Sequence, residues 1–183
     1  GKKLAFGARR NRPAYEILTV DVSTLKTEVV CEDYAILRYP RWSPDGKVML
    51  YSRYGMPWYR PRYRGSAAAQ VWTYDLQSNK RSKLLGDARQ YLFSQFMPNG
   101  KQILLVTASE PTPTLAKIDE KPVKFSDNSH RTPNLWVSDL TGNLKQITHF
   151  KTDSVRYPSV ASKTGDIAFE HDKGIWLLPK KTK

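Results

Sequence analysis

Residues 41–51 read Arg-Trp-Ser-Pro-Asp-Gly-Lys-Val-Met-Leu-Tyr, and this stretch decides the fold because it returns further along the chain. It recurs at 95–105 as Gln-Phe-Met-Pro-Asn-Gly-Lys-Gln-Ile-Leu-Leu and, in a decayed form, at 159–169. Residues 1–6 match its second half. In the two complete copies the proline presets φ for a turn, Asp or Asn tolerates the next position, and glycine accepts the left-handed conformation. The unit therefore predicts a tight hairpin that leads into an apolar strand.

A second unit follows each hairpin. Residues 71–76 read Val-Trp-Thr-Tyr-Asp-Leu, and they match residues 17–22 and 135–140, with an interrupted copy at 175–179. Successive glycines of the hairpin unit are 54 and 65 residues apart, and successive aspartates of the second unit are 54 and 64 apart. Because two independent markers keep nearly the same spacing, the chain is built from repeats of one supersecondary unit.

Four short strands, labelled a to d, fit into each repeat, and no long amphipathic helical pattern interrupts them. Four strands per repeat of roughly 40–50 residues are the signature of a β-propeller. We therefore predict an all-β fold, a β-propeller segment of four-stranded antiparallel blades with about three and a half blades. Residues 1–183 form one partial propeller, with blade parts at 1–30, 36–85, 89–148 and 155–179.

These strands are too few to close a ring of six or seven blades, and propellers protect their sheet edges by closing. We therefore expect open edges. The segment should be ordered beside other domains of its parent chain or by forming a homo-oligomer.

The second unit also predicts structural roles for its side chains. The tryptophans at 72, 136 and 176 occupy the same position of strand c, which favours packing between blades over ligand binding. Asp75 and Asp139 follow three residues later, where a carboxylate caps the turn between strands c and d through local hydrogen bonds.

The composition limits the possible partners and sites. The net charge of +13 favours acidic partners such as nucleic acid, anionic surfaces or acidic peptides, although a segment shows only part of its parent's charge. Cys31 is the only cysteine, so it cannot form an intramolecular disulfide, and a small buried residue is the expected role. There is no apolar run of 18 residues and no signal-peptide pattern, so we expect no membrane span, and both cytoplasm and periplasm stay open.

The sequence offers no catalytic constellation. The histidines at 130, 149 and 171 lack the spacing of a metal site, and neither a Gly-x-Ser-x-Gly elbow nor a glycine-rich phosphate loop occurs. We therefore predict no catalytic residue, no metal site and no cofactor in this segment.

The most unusual stretch is 53–64, which has four arginines, three tyrosines, one tryptophan and no acid. This composition suits recognition of peptide carboxylates or stacked bases, and equally packing on a neighbouring domain. If 60–64 is extended, its alternating arginines form one positive stripe. The other long loop, 109–133, should share a face with it, because both join strands b and c. The candidate peptide- or partner-binding residues are Arg53, Trp58, Tyr59, Arg60, Arg62, Tyr63 and Arg64.

These repeats resemble the propeller repeats of TolB and of tricorn-type peptidases. Residues 62–65, ahead of the strand at 70–72, resemble the Tyr-Arg-Gly-Gly segment of the six-bladed tricorn propeller, with Ser66 in place of the second glycine. Residues 134–140, 146–148 and 156–159 follow in the same order as in that propeller. In that family the catalytic residues lie in a separate serine-peptidase domain, and the resemblance implies a propeller that guides or filters peptides.

Three functional hypotheses remain open at this point. The first is a non-catalytic propeller segment of a tricorn-like serine peptidase that guides or filters peptides. The second is a TolB-like protein–protein interaction propeller without a linked enzyme. The third is a basic nucleic-acid-binding module, which is disfavoured because no RNA motif or recognition helix is present.

Overall fold

The computed structural model of the chain describes residues 1–10, 13–55, 60–87, 89–108 and 132–180. Within these ranges the secondary structure consists of strands, with no helix. The strands are β1 Lys3–Ala8, β2 Tyr15–Asp21, β3 Thr27–Asp33, β4 Leu37–Trp42, β5 Val48–Arg53, β6 Gln70–Asp75, β7 Arg81–Leu85, β8 Leu92–Phe96, β9 Gln102–Ala108, β10 Pro133–Asp139, β11 Leu144–Gln146, β12 Arg156–Val160, β13 Ile167–His171 and β14 Gly174–Leu178.

The strands form four antiparallel sheets in chain order: β1 to β3, β4 to β7, β8 to β11 and β12 to β14. Within each sheet, neighbours in sequence are neighbours in space, so every connection is a hairpin. The predicted all-β fold class, a partial propeller of antiparallel blades, is confirmed. The blade limits given above stay a prediction.

The predicted turn chemistry accounts for the hairpins. Gly46 and Gly100 adopt φ values of +72° and +64°, and their amides donate to the carbonyls three residues earlier, at 2.9 and 3.0 Å. Asp75 caps the turn between strands c and d by accepting the amides of Gln77 and Ser78, at 3.0 and 2.7 Å. Asp21 and Asp139 repeat this arrangement in the neighbouring sheets, so the predicted capping role is confirmed.

The core lies between the sheets, in three separate layers. One layer joins the first and second sheets, the next joins the second and third, and the last joins the third and fourth. Buried members of the three layers are Ile17, Cys31, Leu37, Met49 and Tyr51; then Leu50, Val71, Tyr91, Ile103 and Leu105; then Leu92, Leu104, Val106, Leu135, Ile167 and Phe169.

Two of the three strand-c tryptophans pack directly against these core layers. Trp72 packs against the first layer and Trp136 against the second. Trp176 is 44% exposed and contacts the ring of Phe150 edge-on, and Phe150 in turn packs against the third layer. Trp72 and Trp136 therefore pack between blades, as predicted, whereas Trp176 belongs to no core layer and its predicted packing role is not confirmed.

We expect Trp72→Ala and Trp136→Ala each to lower the free energy of unfolding by about 3–5 kcal/mol, because each would leave a cavity between two sheets. Denaturant unfolding of the two variants beside the unmodified chain measures the loss. If both variants kept the stability of the parent chain, the tryptophans would be surface groups and a ligand role would reopen.

The two end sheets carry apolar side chains on faces that no described element covers. Leu4 and Phe6 on β1 are 61% and 39% exposed, and Ile175 and Leu177 on β14 are 82% and 66% exposed. Strand alternation puts each of these pairs on a single face. Apolar faces of this kind favour association.

We therefore expect the 183-residue chain to self-associate in solution, and Ile175→Thr combined with Leu177→Thr to reduce the association. Size-exclusion chromatography with light scattering over a range of concentrations measures the mass. A stable, monodisperse monomer of the unmodified chain would contradict this expectation.

Candidate partner-binding surface

The connections between strands b and c meet those between strands d and a at one end of the sheets, which we call the loop face. The amide of Tyr54 donates to the carbonyl of Ile36 at 2.8 Å, and the amide of Tyr91 donates to that of Ala69 at 3.1 Å. The turns between a and b and between c and d lie at the other end, the turn face. The predicted loop 53–64 belongs to the loop face.

Arg53 connects the first sheet to the second. Its guanidinium forms two hydrogen bonds to the carboxylate of Asp33 at the end of β3, at 2.9 and 3.1 Å. Its charged group also lies over the rings of Tyr54 and Trp72, with 4.4 and 5.5 Å to the centroids. Arg81 approaches the same carboxylate at 3.8 Å. Among the predicted binding residues, Arg53 is therefore committed to an intramolecular pair.

The ion pair with Arg53 helps to lower the pKa of Asp33. Burial alone would raise the pKa of Asp33, but the hydrogen bonds from Arg53 and from the Ala35 amide outweigh it and hold the pKa below its usual value.

Burial is also the main reason why the pKa of the Cys31 thiol is raised to about 11, so the thiol is protonated near neutral pH. Cys31 is buried, as predicted.

A single buried amide fixes the second half of the loop. Gln90 is 1% exposed, accepts the amide of Ala69 at 3.1 Å and donates to the carbonyl of Arg60 at 2.8 Å. The loop is thereby attached to the segment that leads into the third sheet, where Arg64 and Arg89 also form an isolated β-bridge. Sequence reasoning missed Gln90, because nothing in its local pattern indicates which distant backbone it meets.

Residues 60–64 are not extended, so the condition stated above for a positive stripe is not met. The amide of Tyr63 donates to the carbonyl of Arg60 at 3.0 Å, which closes a turn, and the Arg60 guanidinium lies 5.6 Å from the centroid of the Tyr63 ring. Trp58 and Tyr59 lie outside the described residues, as does most of the loop 109–133. The binding role of the loop stays a prediction.

A row of three aromatic rings lies on strands β4, β8 and β12, the first strands of the last three sheets. The rings of Tyr39 and Phe93 are 5.7 Å apart, and those of Phe93 and Tyr157 are 5.0 Å apart. The ring contacts bring these three edge strands together, which places them around the axis of the propeller. Phe93 is 9% exposed, whereas Tyr39 and Tyr157 are 38% and 51% exposed.

The backbone at each of these positions is strained in the same way. Tyr39, Phe93 and Tyr157 have φ values of +53°, +55° and +46°, and each lies within a register shift of its strand. A left-handed non-glycine residue costs of order 1–3 kcal/mol, and such strain concentrates at functional sites. The sequence signal was available, because Arg-Tyr-Pro occurs at both 38–40 and 156–158.

A cleft of about 480 Å³ adjoins Tyr39 on the side of the first sheet. Its lining includes Tyr15, Arg9, Arg38 and Arg41, and none of the described lining residues is acidic. The partly exposed phenol rings of Tyr15 and Tyr39 beside these guanidinium groups provide apolar contact and hydrogen-bond donors for carboxylates.

The described residues bring no group of three or more His, Cys, Asp or Glu side chains together that could hold a metal ion. His171, which is 5% exposed, stacks on Phe150 with 3.7 Å between ring centroids. No stretch of the described chain forms a helix long and apolar enough to cross a bilayer.

The described geometry can be compared with known proteins. The protein TolB of the Tol-Pal system from Anaeromyxobacter dehalogenans (strain 2CP-C) is 28% identical over 102 residues, which are 56% of this chain and 21% of that protein. TolB from Acinetobacter baumannii superposes with a TM-score of 0.70 at 17% identity, over 97% of this chain and 38% of that chain. The fold is that of a TolB-like β-propeller. No family model matches the chain.

A peptidase propeller shares this fold more distantly. The β-propeller domain of the trilobed protease from Pyrococcus furiosus has a TM-score of 0.50 and 15% identity, over 100% of this chain and 55% of that domain. The matched region thus spans about a fifth of the Anaeromyxobacter TolB sequence. It covers 38% of the Acinetobacter TolB chain and 55% of the trilobed-protease domain.

The pair of Arg53 and Asp33 gives the TolB-like segment a testable pH dependence. Because the folded-state pKa of Asp33 is lowered, its contribution to stability is complete above the ordinary value of ~3.9 and is lost as the pH falls through the lowered pKa. We expect Asp33→Asn to lower the free energy of unfolding by about 1–3 kcal/mol at pH 7. The difference from the parent chain should shrink below pH ~4. Urea unfolding at several pH values measures it, and an equal difference at pH ~2 and pH ~7 would contradict the assignment.

Proposed function

We propose that this chain is a non-catalytic protein-interaction segment of a TolB-like propeller, and that it binds an extended, acidic peptide segment of a partner protein at the loop face. The observation that carries the proposal is the row formed by Tyr39, Phe93 and Tyr157, with its repeated left-handed backbone. The two outer rings are solvent-exposed, and the buried Phe93 supports both of them.

The positive charge near the aromatic row favours an acidic partner. Arg9, Arg38 and Arg41 line the cleft beside Tyr39, and the net charge of the chain is +13. Arginine pairs with carboxylates through two parallel hydrogen bonds, and a positive field accelerates the approach of an acidic segment. In this proposal Arg60, Arg62, Tyr63 and Arg64 form the outer rim of the same surface, and Arg53 maintains the packing beneath it.

A second candidate is the propeller of a peptidase, which guides or filters peptides before cleavage elsewhere in the parent chain. The resemblance to tricorn-type repeats and the likeness to the trilobed protease propeller favour it. A serine-peptidase domain downstream in the same reading frame would support this candidate, and a stop codon after one closed propeller would support an interaction module without an enzyme.

We expect Tyr39→Asn combined with Tyr157→Asn to weaken peptide binding about tenfold or more, because exposed aromatic residues are frequent energetic anchors. Asn tolerates the left-handed conformation, so the variant removes the rings without adding backbone strain. Peptides selected from a displayed library on the unmodified chain, then measured by fluorescence anisotropy, provide the test. The loop variant that carries Arg60→Gln, Arg62→Gln and Arg64→Gln tests the rim in the same assay.

Leu25→Asn serves as the matched control, because Leu25 is 75% exposed, has a φ of +57° and lies in the turn between β2 and β3 on the turn face. It should bind the selected peptides like the unmodified chain. If the row variant bound them equally well, the row would not be the contact surface. A single-stranded DNA probe that bound at physiological salt and displaced the peptides would favour the nucleic-acid alternative instead.

A further inference from the structure

The two outer residues of the aromatic row lie in the same tripeptide, and the arginine of each copy has different surroundings. Arg-Tyr-Pro occurs at 38–40 on β4 and at 156–158 on β12, with Leu-Phe-Ser at the equivalent 92–94 between them. An arginine therefore precedes the aromatic residue at both ends of the row, and an apolar residue precedes it in the middle. The two ends differ in the acids that surround each arginine.

The arginine at the Tyr157 end of the row is neutralised by two acids. Arg156 lies opposite Glu170 in the pairing of β12 with β13, and its guanidinium approaches the Glu170 carboxylate at 3.4 Å. The same guanidinium approaches the carboxylate of Asp153 at 3.4 Å. The positive charge at this end is therefore compensated within the chain.

The matching positions at the Tyr39 end supply no acid. Arg38 lies opposite Ser52 in the pairing of β4 with β5, at the position that Glu170 has in the fourth sheet. The connection before β4 carries Asp33, but its carboxylate binds Arg53 at 2.9 and 3.1 Å. Arg38 is exposed, and within the described part of the chain no ion pair holds it. Its charge is therefore left uncompensated by the described residues.

The uncompensated arginine borders the cleft of about 480 Å³ beside Tyr39, which it lines together with Arg9 and Arg41. A carboxylate in this cleft would meet guanidinium groups, which bind carboxylates through charged hydrogen bonds. A carboxylate at the Tyr157 end would instead meet the two acids that already surround the arginine there, and like charges at close range repel. The two ends of the row therefore favour different ligand groups.

The length of the row limits the ligand that can contact both ends. The ring of Phe93 lies 5.7 Å from that of Tyr39 and 5.0 Å from that of Tyr157, so the outer rings are at most about 11 Å apart. An extended peptide advances about 3.3 Å per residue, so about three residues span this distance.

We propose that Arg38 sets the orientation of a peptide bound at the aromatic row. A carboxylate of the peptide lies at the Tyr39 end, and an uncharged residue about three positions away lies at the Tyr157 end. This inference rests on the function proposed above, and it adds the residue that determines which end of the row accepts the acid. An acidic side chain and a C-terminal carboxylate both have the required chemistry.

The test is a double-mutant cycle between Arg38 and the acid of the peptide. Fluorescence anisotropy compares peptides selected on the unmodified chain with analogues in which the acid is replaced by its amide. The acidic peptide should bind the unmodified chain about tenfold more tightly than the amide analogue, and Arg38→Gln should abolish this preference because the charged hydrogen bond is lost. Amidating the side chain and the C terminus separately identifies which of them supplies the carboxylate.

Lys26→Gln is the charge-matched control, because Lys26 is exposed in the turn between β2 and β3 on the turn face. It should keep the tenfold preference for the acidic peptide. Glu170→Gln removes an acid beside Arg156, so it should tighten the binding of peptides that carry a second acid three positions from the first. Thermal unfolding verifies that each variant remains folded.

The inference is overturned if the selected peptides bind no better than their amide analogues, if Arg38→Gln keeps the preference, or if Lys26→Gln removes it. It is also overturned if Glu170→Gln leaves the binding of the doubly acidic peptides unchanged. The variant with Tyr39→Asn and Tyr157→Asn separates this failure from failure of the proposed function. If that variant weakens every selected peptide while Arg38→Gln leaves the preference intact, the row binds peptides and only the role of Arg38 is refuted.

Discussion

Each complete sheet of this chain is apolar on both faces, and the rest of the structure depends on that constraint. Along β5, Met49 and Tyr51 face the first core layer, whereas Leu50 faces the second. Burying a large apolar side chain contributes about 1.5–3 kcal/mol relative to leaving it exposed. No sheet can therefore be stable alone, and each one needs a neighbour on both sides. The radial arrangement of the sheets follows from this requirement.

This constraint also separates the roles of the two ends of the sheets. The turn face is built from short hairpins whose carboxylates and glycines satisfy their own backbone. The loop face carries longer connections, which are held by contacts between sheets such as Arg53 with Asp33 and Gln90 with the backbone of Ala69 and Arg60. A rigid core with anchored loops is the arrangement in which surface residues keep a defined geometry for recognition.

Local features of this fold were predictable from sequence, and features that depend on facing sheets were not. The turns at Gly46 and Gly100 and the caps at Asp75 and Asp139 follow from a few adjacent residues, and the structure confirms them. The condition for a positive stripe at 60–64, an extended backbone, is not met, because the Tyr63 amide closes a turn onto the Arg60 carbonyl. The role of Gln90 depends on residues more than 20 positions away, whose contacts no local pattern encodes.

The backbone at the axis supplies the strongest reason to treat the aromatic row as more than packing. Glycine adopts a positive φ without strain, and the chain uses it for this purpose at Gly46 and Gly100. At Tyr39 and Tyr157 the chain has an aromatic residue in the same region of φ. Tyr157 nevertheless remains about half exposed. The strain is therefore not offset by full burial of these two side chains. The proposed contact with a partner rests on these strained and partly exposed rings at repeated sites.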